Sequence, residues 1–123
     1  NTMKFRLSLL YFVLSQLTVF AQADTLRVLF LGNSYTQAYN LPQMVASLSA
    51  ASGTPMITDS NLPGGFTLSG HAADATSLTK IRQGNWDYVV LQEQSQVPTV
   101  DYYRYNLMYP GAQELHDSYS VKI

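Results

Sequence analysis

The chain has no cysteine, so neither a disulfide framework nor a thiolate metal site is open to it, and its stability has to come from packing. It is also poor in charge. Lys and Arg together number seven against eight Asp and Glu, and only 12% of the 123 residues are charged. A nucleic-acid or anionic-membrane partner is read by a basic excess, and this balance excludes one. Internal repeats and low-complexity segments are absent. The one long apolar stretch, residues 7–21, is interrupted by Ser8, Ser15, Gln16 and Thr18 and falls short of the ~20 residues that a stable membrane span needs.

That stretch fits a different purpose. Met3 is followed by the basic Lys4 and Arg6, then by the apolar run, then by Ala21-Gln22-Ala23, which is the order of a secretory signal peptide with cleavage after Ala23. A secreted or periplasmic location is expected, with a retained membrane anchor as the alternative. Asn1 and Thr2 precede the initiator-like Met3. Residues 24–123 then suffice for one small domain with a modest core. They keep all eight acidic residues but only Arg27, Lys80, Arg82, Arg104 and Lys122 as bases.

Beyond the signal, strands and helices alternate. Val28, Leu29, Phe30 and Leu31 form the continuous apolar run of a strand buried on both faces, here drawn over 25–31. Leu41, Met44, Val45 and Leu48 recur at helical spacing over 41–51, with Asn40 as cap, Pro42 in the first turn and Gly53 as terminator. Residues 55–59 make a short second strand, 61–70 a turn-rich loop, and 72–81 a helix with Ala75, Leu78 and Ile81 on one face. The segment 86–92, WDYVVLQ, is the third strand, and 93–99 is a polar loop. A helix over 101–117 is expected to kink or divide at Pro110-Gly111, and YSVKI at 119–123 reads as the start of a fourth strand. This order predicts a parallel three-layer α/β/α sheet with right-handed crossovers.

Three loops would then gather at the carboxyl ends of the strands, where open α/β sheets bind ligands. They read GNSYT at 32–36, LPGGFTLSGH at 62–71 and LQEQSQVP at 91–98. The trio resembles the SGNH, or GDSL-type, hydrolase superfamily of secreted esterases, lipases and deacetylases, which has a flavodoxin-like sheet. In that family the first block is Gly-Asp-Ser, the second contributes a glycine, the third is Gly-x-Asn-Asp and the last is Asp-x-x-His. Gly32-Asn33-Ser34 matches the first block with Asn for Asp, and Gly64-Gly65 stands at the second. In the third, Gln94 falls on the glycine, Gln96 on the asparagine and Val97 on the aspartate. The Asp-x-x-His block is absent, so 24–123 is expected to be the N-terminal part of a longer domain of this type, incomplete at its C-terminus.

The resemblance implies hydrolysis of a carboxylester or carbohydrate O-acyl ester. Such chemistry needs a nucleophile, a base, and donors aimed at the oxygen that becomes negative. Ser34 would attack. The oxyanion hole would combine the Ser34 amide, the amide of Gly64 or Gly65, and the side chain of Gln94 or Gln96, with Gln92 as a substitute. Asn33, Gln92, Glu93 and His71 are further pocket candidates. His71 is also a weak candidate for the base, its plainer role being a polar loop residue, while His116 beside Asp117 suits an exposed helix face. Tyr102, Tyr103, Tyr105 and Tyr109 would pack amphipathically or line a carbohydrate groove. Metal-ligand spacing is missing, and the first loop lacks the repeated glycines of a phosphate cradle, so no metal or cofactor is expected. The competing class is a non-catalytic carbohydrate- or acyl-binding module of the same fold.

Overall fold

The computed structural model describes residues 24–120; the signal-peptide and cleavage expectations lie outside them. β1 spans Leu26–Leu31, β2 spans Met56–Asn61 and β3 spans Tyr88–Leu91. They form a parallel sheet in the order β2-β1-β3, so the fold is α/β. β1 is central because it is the most apolar of the three. Its last four residues are all buried, Leu29 completely, whereas β2 and β3 keep partly exposed positions at the sheet edges.

The chain leaves β1 toward β2 and then crosses back past β1 to β3. Right-handed crossovers in opposite directions carry their helices to opposite faces of a sheet. Alternation along the strand divides the burial accordingly. Leu29 and Leu31 join Leu68, Ile81, Trp86 and Leu115 in the main core, leaving the equally buried Val28 and Phe30 for the other face.

After β1 comes a four-residue helix, α1 (Ser34–Gln37), a 3-10 turn at Ala38–Asn40, and α2 (Leu41–Ala51). Asn40 precedes α2 in the left-handed region at φ 54 and makes no side-chain capping bond, so its expected capping role is not realised. The apolar periodicity of α2 also has a different meaning from the one expected. Leu41, Met44 and Leu48 are exposed, and the helix packs on β2 with Pro42 and Ala46 buried. Small side chains let it lie close.

The helix expected over 72–81 is two helices, α3 (Leu68–Ala73) and α4 (Ala75–Gln83), divided at Asp74. Each has its own cap. The Thr67 hydroxyl accepts from the Gly70 amide at 3.0 Å, and the Asp74 carboxylate accepts from the Ser77 amide at 2.8 Å, satisfying donors that a helix start leaves open. The last helical stretch runs over 101–120 as α5 (Asp101–Tyr103), a π segment (Arg104–Met108) and α6 (Tyr109–Ser120). Pro110 lies in the first turn of α6, where its missing N–H is tolerated, and the widened π turn stands directly before it. Tyr119 and Ser120 continue this helix, so the fourth strand does not begin at 119 as expected.

Gly111 explains how α6 docks. A Cβ built there would fall 2.5 Å from the Ser69 amide nitrogen and 2.8 Å from the Leu68 carbonyl carbon, both backbone atoms of α3 that cannot swing aside. Glycine costs a helix interior stability, and here the close approach of two helices offsets it. Gly111→Ala is expected to lower stability by about 1–3 kcal/mol through overpacking, seen as an earlier denaturant midpoint. Gly64→Ala, whose Cβ would meet nothing within 4 Å, is expected to leave the midpoint unchanged.

Candidate functional site

β1 ends in Gly32-Asn33-Ser34, and the three residues have different tasks. Gly32 is needed for space. A Cβ on it would lie 2.7 Å from Gln92 Oε1 and 2.9 Å from Thr36 Oγ1, so any side chain would displace the glutamine that closes the site. Asn33, only 1% exposed, is the N-cap of α1. Its Oδ1 accepts from the Tyr35 amide at 3.1 Å, while its Nδ2 donates to the Phe66 carbonyl at 2.9 Å. An ionised Asp could make the first bond but would set one oxygen against another at the second. That accounts for Asn at this position. Ser34 follows as the first residue of α1, exposed, with neither its hydroxyl nor its amide hydrogen-bonded to any described residue.

Gln92 ties the third loop to the first. Its amide continues the ladder by donating to the Leu31 carbonyl at 2.9 Å. Its Oε1 accepts from both the Asn33 amide at 3.0 Å and the Thr36 hydroxyl at 2.9 Å, and its Nε2 donates to the Glu93 carbonyl. With Asn33 bonded to Phe66, the loops after all three strands meet at one residue. Gly64 and Gly65 are exposed in a turn closed by the Phe66 amide on the Pro63 carbonyl at 3.3 Å. Gly65 has φ +70, the sign such a turn demands at its third position.

The other candidates are placed as follows. One oxygen of Glu93 accepts from the Leu68 amide at 3.1 Å and the Gln94 amide at 2.7 Å, joining the third loop to α3, while its buried Oε2 has no partner. Gln94 turns its side-chain oxygen back onto the Gln96 amide at 2.7 Å, and Gln96 is exposed. Neither glutamine is tied to the first loop. His116 lies exposed on α6, 3.3 Å from Asp117.

His71 does not line the surface. It is completely buried beneath the first loop, with Nε2 2.8 Å from the Gly32 carbonyl and Nδ1 2.7 Å from the Ser77 hydroxyl. Phe66 meets its ring edge-on at 4.9 Å. Ser77 is also reached by Asn61 Nδ2 at 2.9 Å and lies 3.0 Å from Asp74 Oδ2. Residues 61, 74 and 77 were outside the expected site. The signal that could have found two of them is the Asp-x-x-Ser spacing at 74–77, an N-cap and its third helical residue.

An open cleft of about 650 Å³ lies beside α1 and the end of β2, lined by Gln37, Asn40, Ser60, Asn61, Leu62 and Pro63. Its walls are polar but uncharged. A second, apolar cleft of about 200 Å³ runs along β3 and α6 and meets the three loops only at Leu91. Among the described residues no group of three or more His, Cys, Asp or Glu could hold a metal ion, and no helix is long and apolar enough to cross a membrane. No family model, curated protein or solved structure matches the chain.

Burial lowers His71 below its ordinary value of 6.5, outweighing the Gly32 bond and the nearby Asp74 and Glu93 charges, which act the other way. Asp74 is lowered too, chiefly by the Ser77 amide, and stays ionised. The unfolded chain therefore binds a proton on His71 before the folded one does. The stability carried by the neutral ring is whole above the unfolded value and is lost progressively as pH falls below it. Melting temperature is expected to drop as pH is lowered from about 7.5 to about 5.5, with a flatter profile in His71→Gln. Parallel profiles for the two proteins would contradict this.

Proposed function

We propose that the chain carries the nucleophile-bearing part of a serine esterase of the SGNH, or GDSL-type, superfamily, with a flavodoxin-like three-layer sheet, acting on a carboxylester or a carbohydrate O-acyl ester. The observation that supports this most is Asn33: a buried amide at the end of the central strand binds the second loop, while the next residue, Ser34, stands exposed with its hydroxyl and amide unengaged. A nucleophilic serine has to be accessible while the backbone that carries it is fixed.

In this reading Ser34 Oγ attacks the ester carbonyl carbon and its proton passes to a general base. The carbonyl oxygen becomes negative and would be held by the Ser34 amide first and then by an amide of the Gly64-Gly65 turn. Collapse expels the alcohol, which takes up the proton, and water then releases the acid from Ser34. Gln92 would contribute indirectly, since its side-chain oxygen already holds Asn33 and Thr36. The uncharged cleft beside α1 suits a neutral ester better than a charged substrate.

In this reading the base is neither His71 nor His116. His71 has both ring nitrogens engaged in the interior, and His116 sits on α6 beside Asp117. The resemblance supplies a base from an Asp-x-x-His block. The same observation favours a second reading, a non-catalytic module of this fold that holds a carbohydrate or acyl group.

The test uses the full-length protein. Ser34→Ala is expected to reduce hydrolysis of short acyl esters by at least ~10³-fold and to abolish labelling by a fluorophosphonate probe. His116→Ala is expected to leave both largely intact. Absence of labelling and of ester turnover in the folded, full-length protein would reject the esterase reading in favour of the binding module.

A further inference from the structure

The Gly32 carbonyl immediately precedes the turn that displays Ser34, and it ends on a buried imidazole instead of water. A carbonyl can only accept. His71 Nε2, 2.8 Å away, must therefore carry a proton, which in the neutral ring leaves Nδ1 as an acceptor. The Ser77 hydroxyl at 2.7 Å then donates to Nδ1 while accepting from Asn61 Nδ2 at 2.9 Å. Asp74 Oδ2 is held meanwhile by the Ser77 amide and by Asn61, at 2.8 and 2.9 Å. The Ser77 hydroxyl also lies 3.0 Å from Asp74 Oδ2, but its single proton goes to the nearer Nδ1, where the neutral ring protonated at Nε2 presents a lone pair. The Gly32 carbonyl thus selects the tautomer, and residues on α4 and at the end of β2 support the ring from behind.

We propose that His71 is a positioning residue for Ser34: its Nε2–H fixes the Gly32 carbonyl and so the Gly-Asn-Ser turn, and Ser77, itself held by Asn61, steadies the ring from its Nδ1 side. The ring, carried on α3, joins the turn after β1 to α4, and Asn61 at the end of β2 adds its own bonds to α4 and to the Gly32 amide. The functional half of this proposal rests on the esterase reading of Ser34; the geometric half does not.

Two amide substitutions separate positioning from space filling. In His71→Gln the amide nitrogen extends to the place of Nε2 and can still donate to Gly32. In His71→Asn the shorter amide reaches only the place of Nδ1, so it meets Ser77 and leaves Gly32 unpaired. Both remove the ring and keep a neutral polar group, so a residue that merely fills space would make them differ only in overall stability, by the methylene that separates them, and not in the exchange of the Tyr35 amide.

In the full-length protein, fluorophosphonate labelling of Ser34 is expected to fall less than about threefold in His71→Gln and by about 10²-fold in His71→Asn, the scale of an ångström-sized displacement of a reacting group. Hydrogen exchange of the Tyr35 amide should quicken in the Asn variant alone. Ser77→Ala keeps the ring, removes the hydrogen bond to Nδ1, and should slow labelling about fivefold, the worth of one hydrogen bond. Nitrogen NMR of the unmodified protein should show His71 protonated at Nε2 with coupling to the Gly32 carbonyl carbon. Equal behaviour of the Asn and Gln variants, or a ring protonated at Nδ1 alone, overturns the proposal. If the unmodified protein takes no label, the esterase reading fails by itself, and the Tyr35 exchange and the NMR tautomer still decide the role of His71.

Discussion

The Asn33 side chain uses both halves of its amide, the oxygen on the Tyr35 amide and the nitrogen on the Phe66 carbonyl, while its own backbone N–H goes to Gln92. Buried polar groups are stable only when their bonds are made, and leaving one unmade costs about 1–3 kcal/mol. With Asn33 almost wholly excluded from solvent, the loops after β1, β2 and β3 are therefore held to one another by the same residue. Moving any one of them away leaves a buried donor or acceptor unpaired. The exposed position of Ser34 depends on this constraint.

Asn33 belongs to a larger polar layer beneath the strand ends. The buried polar residues Asn33, Thr36, His71 and Ser77 are linked through Gln92 on one side and through Asn61 and Asp74 on the other. A satisfied network in a low-dielectric interior is rigid and specific. It differs in kind from the apolar core a few residues earlier on β1, which any group of suitable volume could fill. The chain changes from one sort of interior to the other between Leu31 and Gly32, where the sheet ends.

The legible parts of the sequence were those written in local chemistry. Four apolar residues in succession at 28–31 gave the central strand, and the shared end of the three polar loops followed from the parallel order. Pro110 signalled a disturbance in the last helical stretch, although the chain answers it with a wider turn before the proline instead of a break. What periodicity could not supply was the identity of the neighbour. The stripe at Leu41, Met44 and Leu48 has the spacing of a buried face, yet the small Ala46 on another side of α2 is what the sheet accepts. His71 read as a loop residue because its two partners are 6 and 39 residues away, and no pattern within one element announces either. Asp74 broke a helix that looked continuous because a cap and a helix interior differ by a dihedral angle, not by composition. Gln92, by contrast, was visible as a polar residue at a strand end, and its actual engagement is with the backbone of the first loop.

The Gln92 bond to the Asn33 amide spans 59 residues, and this has a consequence for a chain made from its N-terminus. At synthesis rates of about 5–20 residues per second, roughly 3–12 s separate the two residues on the ribosome. The residues of β1 and β2 and the Phe66 carbonyl all precede Gln92 in the chain, so the Asn33 amide and the Thr36 hydroxyl lack their folded-state acceptor until Gln92, the last of these partners, is made. The surroundings of Ser34 are therefore the part of the strand ends whose last partner in chain order comes directly after the third strand.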